Sequence, residues 1–131
     1  MSSAWRIFRY LWASPTTCLG LAFLPMIRVT GGGYNIVGGV LELHGGAAEF
    51  FLRRFTLVPG GASAMTLGHV VLGRDLDALE WSRDHERVHV RQAERWGPLF
   101  LPAYGVASLV AWMNGESAYR GNRFEREAYG N

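Results

Sequence analysis

The sequence predicts an α+β domain in which a small antiparallel sheet precedes the main helices. Residues 31–72 consist of short apolar stretches separated by glycine-rich turns, which is typical of strands. Residues 75–128 instead carry helical spacing and helix-capping signals. Strands that are followed by helices along the chain indicate an α+β fold. A chain of 131 residues, 49% of them hydrophobic, is long and apolar enough for one such domain.

The chain begins with an apolar segment. Arg6 and Arg9 precede an uncharged run over residues 10–27, and Arg28 ends this run. Its 18 residues are close to the shortest helix that crosses a bilayer. We therefore predict that residues 1–30 form an apolar N-terminal segment that is a candidate for an uncleaved membrane anchor.

The remaining residues, 31–131, form the predicted folded domain. If the N-terminal segment spans a membrane, the arginines ahead of it favour a cytoplasmic N-terminus and a domain on the far side. The alternative is a segment kinked by Pro15 and Pro25 that lies in the membrane interface or packs on the domain. We expect a membrane-associated protein.

Three stretches have the residue content of strands. Residues 40–44, 49–58 and 65–72 are rich in β-branched, aromatic or leucine side chains and have ordinary strand lengths. A glycine pair at residues 45–46 separates the first two, and a Pro-Gly-Gly turn at residues 59–61 separates the last two. A small antiparallel sheet is the simplest assembly of these strands.

The first predicted helix covers residues 79–96. Asp77, followed three residues later by Glu80, is typical of a capping box at a helix start. Gly97 and Pro98 are strong stop signals. We expect the helical face that continues through Val88, Gln92 and Trp96 to point inward.

Two further helices follow. Residues 99–113 are apolar almost throughout, with Pro98 at the first turn and Asn114-Gly115 at the end. The short length of this helix favours a buried core element over a second membrane span. A shorter helix begins near Asn122.

The composition argues against a nucleic-acid partner. All 13 basic residues are arginines, they are spread along the chain, and the net charge is only +2. Cys18 is the single cysteine, so an internal disulfide and a cysteine-based zinc cluster are excluded. Four arginines recur at every fourth position of the first predicted helix and are expected to form a solvated or lipid-headgroup face: Arg83, Arg87, Arg91 and Arg95.

The same helix contains the motif HERVH at residues 85–89. Side chains four residues apart lie on one helical face, so His85 and His89 can present two imidazole nitrogens to one metal ion. Glu86 points about a quarter turn away. There it can take a proton from a water molecule that attacks a carbonyl group. The motif therefore predicts a catalytic zinc site with Glu86 as the general base.

A catalytic zinc site normally has a third protein ligand. The candidates are the remaining histidines and the glutamates that follow the motif: His44, His69, Glu116, Glu125 and Glu127. Glu125 lies three residues after Asn122, and it could instead complete a capping box of the last helix. Spacing alone leaves this choice open.

The motif, followed by Gln92 and then by NRFEREAY at residues 122–129, resembles the gluzincin metallopeptidases, particularly their minimal single-domain forms. The resemblance covers residues 65–129 and implies a zincin-like fold. In this family the third ligand is a glutamate on a later helix, commonly followed by two variable residues, an alanine and an acidic residue. The resemblance therefore implies Glu125 as the preferred ligand and Glu127 as the alternative.

The resemblance also suggests roles for two other residues. Tyr129 stands where the family has an acidic residue that supports a ligand histidine. His69 ends a strand that borders the substrate cleft in gluzincin-like folds, where it would contact a substrate or transition state. A structural hydrogen bond is the alternative role of His69.

Together these features predict a membrane-associated, zinc-dependent endopeptidase-like protein in which Glu86 activates the attacking water. Its expected substrate is a peptide or protein that adds as an extended strand along residues 65–72. The alternative is a non-catalytic accessory subunit of a membrane protein complex that retains a zincin scaffold. A purely structural metal is a third hypothesis, but structural zinc needs no general base such as Glu86.

Overall fold

The computed structural model describes residues 3–56, 58 and 60–130. Residue 57 of one predicted strand and residue 59 of the turn after it lie outside the described residues. The α+β class is confirmed, because the described residues form a four-stranded sheet together with several helices. The order along the chain differs from the prediction, since helices both precede and interrupt the strands.

Two helices, α1 (Ser3–Leu21) and α2 (Phe23–Val29), form the N-terminal segment. Ala13 in α1 is completely buried. Gly20 lies so close to the sheet that a Cβ added there would be 2.6 Å from the Cβ of Val70. One face of α1 therefore packs on the folded domain, while much of the other face is exposed.

Two helical segments, Ser3–Val29 and Leu76–Met113, are long and apolar enough to cross a membrane. The first contains the apolar run predicted at residues 10–27. The second contains both the HERVH motif and the apolar helix that follows it. The core helix of a soluble protein meets the same criteria of length and composition.

The sheet is mixed. Its strands are β1 (Gly33–Val37), β2 (Val40–His44), β3 (Ala64–Leu67) and β4 (Val70–Gly73), in the spatial order β1-β2-β4-β3. β1–β2 and β3–β4 are antiparallel pairs, whereas β2 and β4 run parallel. The predicted all-antiparallel sheet is therefore wrong, because the strand beside β2 is β4, the second strand of the second hairpin, and β4 runs in the same direction as β2.

That helix, α3 (Ala47–Arg54), occupies most of residues 49–58, so the strand predicted there is also wrong. Ala48 and Leu52 are both completely buried and lie four residues apart, which is the spacing of one helical face. The aromatic and leucine side chains of the stretch are also typical of a strand, and only packing against the sheet distinguishes the two.

The strand predicted over residues 65–72 is two strands, β3 and β4, joined by a tight turn at Gly68 and His69. Gly68 has a φ of +64°, in the left-handed region that favours glycine. The strand predicted over residues 40–44 is confirmed as β2. Its partner β1 was not predicted.

Three helices follow the sheet: α4 (Leu76–Trp96), α5 (Phe100–Met113) and α6 (Arg123–Ala128). They correspond in position to the three predicted helices. The prediction that α5 is a buried core element is wrong, because most of its large apolar side chains, such as Trp112 and Met113, are exposed. α4 begins earlier than expected, because the carboxylate of Asp75 accepts a hydrogen bond of 2.7 Å from the backbone N–H of Ala78. A short 3₁₀ turn, Gly97–Leu99, connects α4 to α5.

α4 is anchored to the sheet by the carboxylate of Glu42 in β2. Arg83 donates two hydrogen bonds to it, of 3.0 and 2.9 Å, and Arg87 donates one of 3.0 Å. Burial would raise the pKa of Glu42, but these hydrogen bonds outweigh it and lower the pKa. The arginine face predicted to be solvated is therefore partly an internal contact.

Apolar side chains cover both faces of the sheet. In β4, Leu72 belongs to the core on the side of α2 and α3, and Val71 belongs to the core on the side of α4. A third cluster, formed by Ala93, Phe100 and Phe124, joins α4, α5 and α6. This third cluster brings α6 against the HERVH helix.

Candidate metal centre

α4 and α6 bring together three side chains, His85, His89 and Glu125, whose donor atoms lie within 4.8 Å of one another. Oε1 of Glu125 is 2.9 Å from Nε2 of His85 and 3.1 Å from Nε2 of His89. Two imidazoles and one carboxylate are a known ligand set of catalytic zinc. The structure thus places the preferred third ligand beside the two histidines of the motif.

Gln92 determines which nitrogen of His89 carries a hydrogen. The Nε2 group of Gln92 donates to the carbonyl oxygen of Phe124, at 3.0 Å, and to Oε1 of Glu127, at 2.7 Å. Its Oε1 atom therefore faces Nδ1 of His89, at 2.8 Å, and accepts a hydrogen bond from it. In a neutral His89 ring, Nε2 then presents a lone pair towards Glu125.

The donor set fits a metal ion. Nε2 of a neutral His89 and Oε1 of Glu125 both present lone pairs, and they lie 3.1 Å apart. Two such atoms repel each other unless a proton or a metal cation lies between them. Burial disfavours a protonated ring, but the hydrogen bond and charge of Glu125 outweigh it and raise the pKa of His89. His85 approaches the same carboxylate oxygen, and the three ligand atoms, all within 4.8 Å of one another, could hold a metal ion such as zinc.

Glu86 lies next to this cluster and is only 5% exposed. Its Oε1 accepts a hydrogen bond of 2.8 Å from the hydroxyl of Thr66 in β3, and its Oε2 is 4.0 Å from Nε2 of His85. Burial raises the pKa of Glu86 despite the opposing charge of His89. A raised pKa makes a carboxylate a better proton acceptor near neutral pH.

Glu125 is held in its ionised form. Burial alone would raise the pKa of Glu125, but hydrogen bonds from His85, His89 and Tyr104 hold it at about 2. The Tyr104 hydroxyl donates to the second carboxylate oxygen, Oε2, at 2.6 Å. Burial raises the pKa of Tyr104, which keeps this hydroxyl protonated as a donor. An ionised carboxylate is the form that binds a metal.

Asn122 holds α5 and α6 together behind the cluster and is completely buried. Its Nδ2 donates to the carbonyl oxygen of Tyr104, at 3.0 Å, and to the hydroxyl of Ser108, at 2.8 Å. Its Oδ1 accepts from the backbone N–H of Phe124, at 2.8 Å, and so caps α6. The carboxylate of Glu125 points to the histidines, so Glu125 is not a partner in this cap.

A cleft of about 320 Å³ opens beside the cluster, between α3, β3, α4 and α5. Glu86, His89, Tyr104 and Glu125 contribute polar groups to its wall. The rest is mainly apolar, with contributions from Phe51, Phe55, Met65, Leu67, Phe100 and Leu101. A mainly apolar cleft with a few convergent polar groups is typical of a small-molecule or peptide site.

Glu127 and Tyr129 lie near the two histidines of the motif, and only Tyr129 contacts one of them directly. Glu127 accepts a hydrogen bond from Gln92, and it therefore supports His89 through that amide. The ring of Tyr129 packs on the ring of His85, with 4.3 Å between centroids. Gln92, backed by Glu127, thus gives His89 the support that the family obtains from an acidic residue.

His69 lies in the turn between β3 and β4, and it is not among the residues that line the cleft. Its Nε2 is 2.8 Å from Oε2 of Glu94, and its ring stacks on Tyr10 at a centroid distance of 3.8 Å. This geometry corresponds to the structural hydrogen bond given above as the alternative to a substrate contact.

Two residues of the site, Thr66 and Tyr104, were not identified from the sequence. No sequence pattern points to Thr66, because its contact with Glu86 depends on how β3 lies against α4. The sequence gives a weak indication for Tyr104, because a phenol on an otherwise apolar helix needs a hydrogen-bond partner when it is buried. Its partner, Glu125, is 21 residues away in sequence.

Comparisons with known proteins give no relative: no protein-family model, no curated protein and no solved structure matches the chain. The similarity to gluzincins therefore rests on the HERVH motif, Gln92 and residues 122–129. It stays a prediction, and the structure adds that His85, His89 and Glu125 form a group that could hold a metal ion.

Proposed function

We propose that this chain is a zinc-dependent peptide-bond hydrolase of gluzincin type that works at a membrane surface. One observation carries the proposal: the donor atoms of His85, His89 and Glu125 come together beside the buried carboxylate of Glu86, at an apolar cleft that is lined by Glu86, His89 and Glu125. A structural metal site has no need of a buried proton acceptor next to its ligands.

His85, His89 and Glu125 would hold the zinc ion. The ion would supply Lewis-acid polarisation of a scissile carbonyl group. In a neutral His89 ring, the hydrogen bond from Nδ1 to Gln92 leaves Nε2 without a hydrogen, which is the form that binds a metal. Tyr104 holds Oε2 of Glu125 and so leaves Oε1 directed at the histidines.

Glu86 would act as the proton acceptor in hydrolysis. The raised pKa of Glu86 suits removal of a proton from an attacking water and its return to the leaving amine. The Thr66 hydroxyl donates to Oε1 of Glu86, so Oε2 is the oxygen nearer His85 and better placed for proton transfer.

A peptide substrate would bind in extended form along β3. β3 is an outer strand of the sheet and pairs with β4 alone among the described strands. All four of its residues, Ala64–Leu67, line the cleft that contains Glu86. A free strand edge binds an extended chain through main-chain hydrogen bonds.

Association with a membrane would involve the exposed face of α1. This face carries large apolar side chains close to Arg6: Trp5, Ile7, Phe8, Leu11 and Trp12. Aromatic and apolar side chains beside basic ones are typical of helices that lie in the membrane interface. Because the opposite face of α1 packs on the domain, interfacial binding is favoured over a free transmembrane anchor.

The first experiment measures zinc. The purified parent protein is expected to contain about one zinc per chain. His89→Ala and Glu125→Ala should lose it, whereas Glu80→Gln, an exposed position on the same helix, should retain it. A parent protein that binds no zinc would refute the proposed hydrolase.

The second experiment measures hydrolysis of a labelled casein and a mixed peptide library. Glu86→Gln should retain zinc but lose activity by about 100-fold or more, because the proton acceptor is removed. Glu80→Gln is the matched control and should keep the parent rate. Full activity in Glu86→Gln would contradict the role of Glu86.

A non-catalytic accessory subunit remains the second candidate. The exposed apolar residues of α5 favour it, because they offer a surface for another membrane protein: Val106, Leu109, Val110, Trp112 and Met113. This candidate predicts co-purification of a defined partner from detergent-solubilised membranes. It also predicts that Glu86→Gln leaves the assembled complex fully functional.

A further inference from the structure

A second pocket, of about 420 Å³, lies on the far side of α4 from the metal centre and is strongly basic. It is formed between α1, α4 and the turn that joins β1 to β2. Its charged lining comprises four arginines and one glutamate: Arg6, Arg9, Arg87, Arg91 and Glu94. An excess of three positive charges in one concave site is electrostatically favourable for an anion.

Three buried polar atoms that lack a hydrogen-bond partner among the described residues all belong to this pocket. They are Nε of Arg9, Nδ1 of His69 and Nη1 of Arg87. Such groups are costly when unpaired, and a ligand that enters between these three lining side chains would satisfy them.

The remaining atoms of these side chains are fixed. Nη1 of Arg9 and Nε2 of His69 each contact a different oxygen of Glu94, at 3.1 and 2.8 Å. Nη2 of Arg87 donates to the carbonyl oxygen of Val37, at 3.0 Å, and to Glu42, at 3.0 Å. The unpaired atoms are therefore held in place, which lowers the entropy cost of binding.

We infer that this pocket binds a phosphate group. The two free guanidinium N–H groups of Arg9 and Arg87 are donors that match the oxygens of an oxyanion. They come from two different helices, α1 and α4, and a tetrahedral oxyanion can accept from donors in several directions. Nδ1 of His69 can donate to a phosphate oxygen or accept from a phosphate hydroxyl, according to its tautomer. Arg6 and Arg91 add charge at the exposed rim.

The phosphate could belong to a lipid headgroup or to a free phosphate compound. The exposed apolar face of α1 lies beside the pocket and would place it at the headgroup level of a membrane. The site is independent of the proposed hydrolysis, because none of its lining residues belongs to the metal cluster.

The test uses the full chain in a nonionic detergent, with a chelator present so that metal binding plays no part. Inorganic phosphate is titrated by calorimetry at constant ionic strength. In a parallel experiment, flotation measures binding to phosphatidylcholine vesicles with and without phosphatidic acid. Arg9→Gln and Arg91→Gln are compared with Arg53→Gln, an exposed arginine on α3 outside the pocket that has the same charge change.

We expect saturable binding that weakens about tenfold in Arg9→Gln, since a charge-assisted hydrogen bond is lost. A smaller loss is expected in Arg91→Gln, and none in Arg53→Gln. This pattern with inorganic phosphate would support the pocket with a free phosphate as ligand. The same pattern only with phosphatidic acid vesicles would support it with a lipid headgroup. No binding in either experiment, or an equal loss in Arg53→Gln, would overturn the inference.

Discussion

Gln92 offers the sharpest test of the metal centre, because it acts on a ligand without being one. Gln92→Met keeps the length and approximate volume of the side chain but removes both the oxygen that faces His89 and the amide that faces Phe124. Nδ1 of His89 then has no acceptor, so the ring is free to move its hydrogen to Nε2 or to rotate. Either change weakens Nε2 as a ligand.

The expected loss of zinc affinity is about 10- to 100-fold, as for other residues that orient a ligand histidine. This corresponds to about 1.4 to 2.7 kcal/mol of binding free energy. Gln92 is only 1% exposed, so water cannot readily replace the lost acceptor. We therefore expect a value in the upper half of this range.

Competition with a fluorescent zinc chelator measures this affinity directly, and thermal unfolding with the metal removed shows whether Gln92→Met still folds. Glu127→Gln is the matched control, because it keeps a carbonyl oxygen that can accept from Nε2 of Gln92. Its zinc affinity should change less than about threefold, the size of a perturbed surface contact. A folded Gln92→Met protein that binds zinc as tightly as the parent would refute this role.

Three further predictions concern other contacts. Tyr104→Phe removes the hydrogen bond to Oε2 of Glu125 and should weaken zinc binding about tenfold, measured by the same competition; an unchanged affinity would argue against this contact. Gly68→Ala should lower the free energy of unfolding by at least about 1 kcal/mol, measured by urea unfolding, because φ is positive and a Cβ would overlap Thr17. The lowered pKa of Glu42 means that its stabilising effect is complete above the ordinary value of 4.5 and is lost as pH falls through the folded-state pKa. Glu42→Gln should therefore lower the free energy of unfolding at neutral pH by about 3 kcal/mol. It should also make this free energy fall less steeply as pH is lowered, and a fall as steep as that of the parent would contradict this assignment.

The part of the proposed metal site that lies on one helix could be predicted from the sequence. His85 and His89 share a helical face in any α-helix, so their spacing alone predicts two adjacent donors. Glu125 required the family pattern, because Asn122 three residues earlier gives an equally good capping signal. In the structure Asn122 does cap α6, but through the backbone N–H of Phe124, which leaves Glu125 for the histidines.

The strands of the sheet were harder to predict, because the apolar pattern of a strand depends on which of its faces are covered. Tyr34 and Ile36 in β1 are both exposed, so β1 lacks the alternation that identifies a half-buried strand. α3 presents the opposite problem: its phenylalanines and leucine are typical of a strand, and only the burial of Ala48 and Leu52 on one face identifies the helix. The turn at Gly68 and His69 is so short that the sequence of β3 and β4 resembles that of one strand.

The arginines of α4 show how one helix can serve two sites. The four-residue repeat predicted a solvated face, yet Arg83 and Arg87 bind the buried carboxylate of Glu42 and fix α4 against β2. This attachment makes the helix a rigid support for His85 and His89 on its other side. The repeat also contributes to the second pocket. Nη2 of Arg87 donates to Glu42, which fixes the guanidinium group, and Nη1 of the same group has no partner among the described residues. The ion pair that positions the helix of the proposed metal ligands thus also fixes a donor of the proposed phosphate site, although the two sites share no residue.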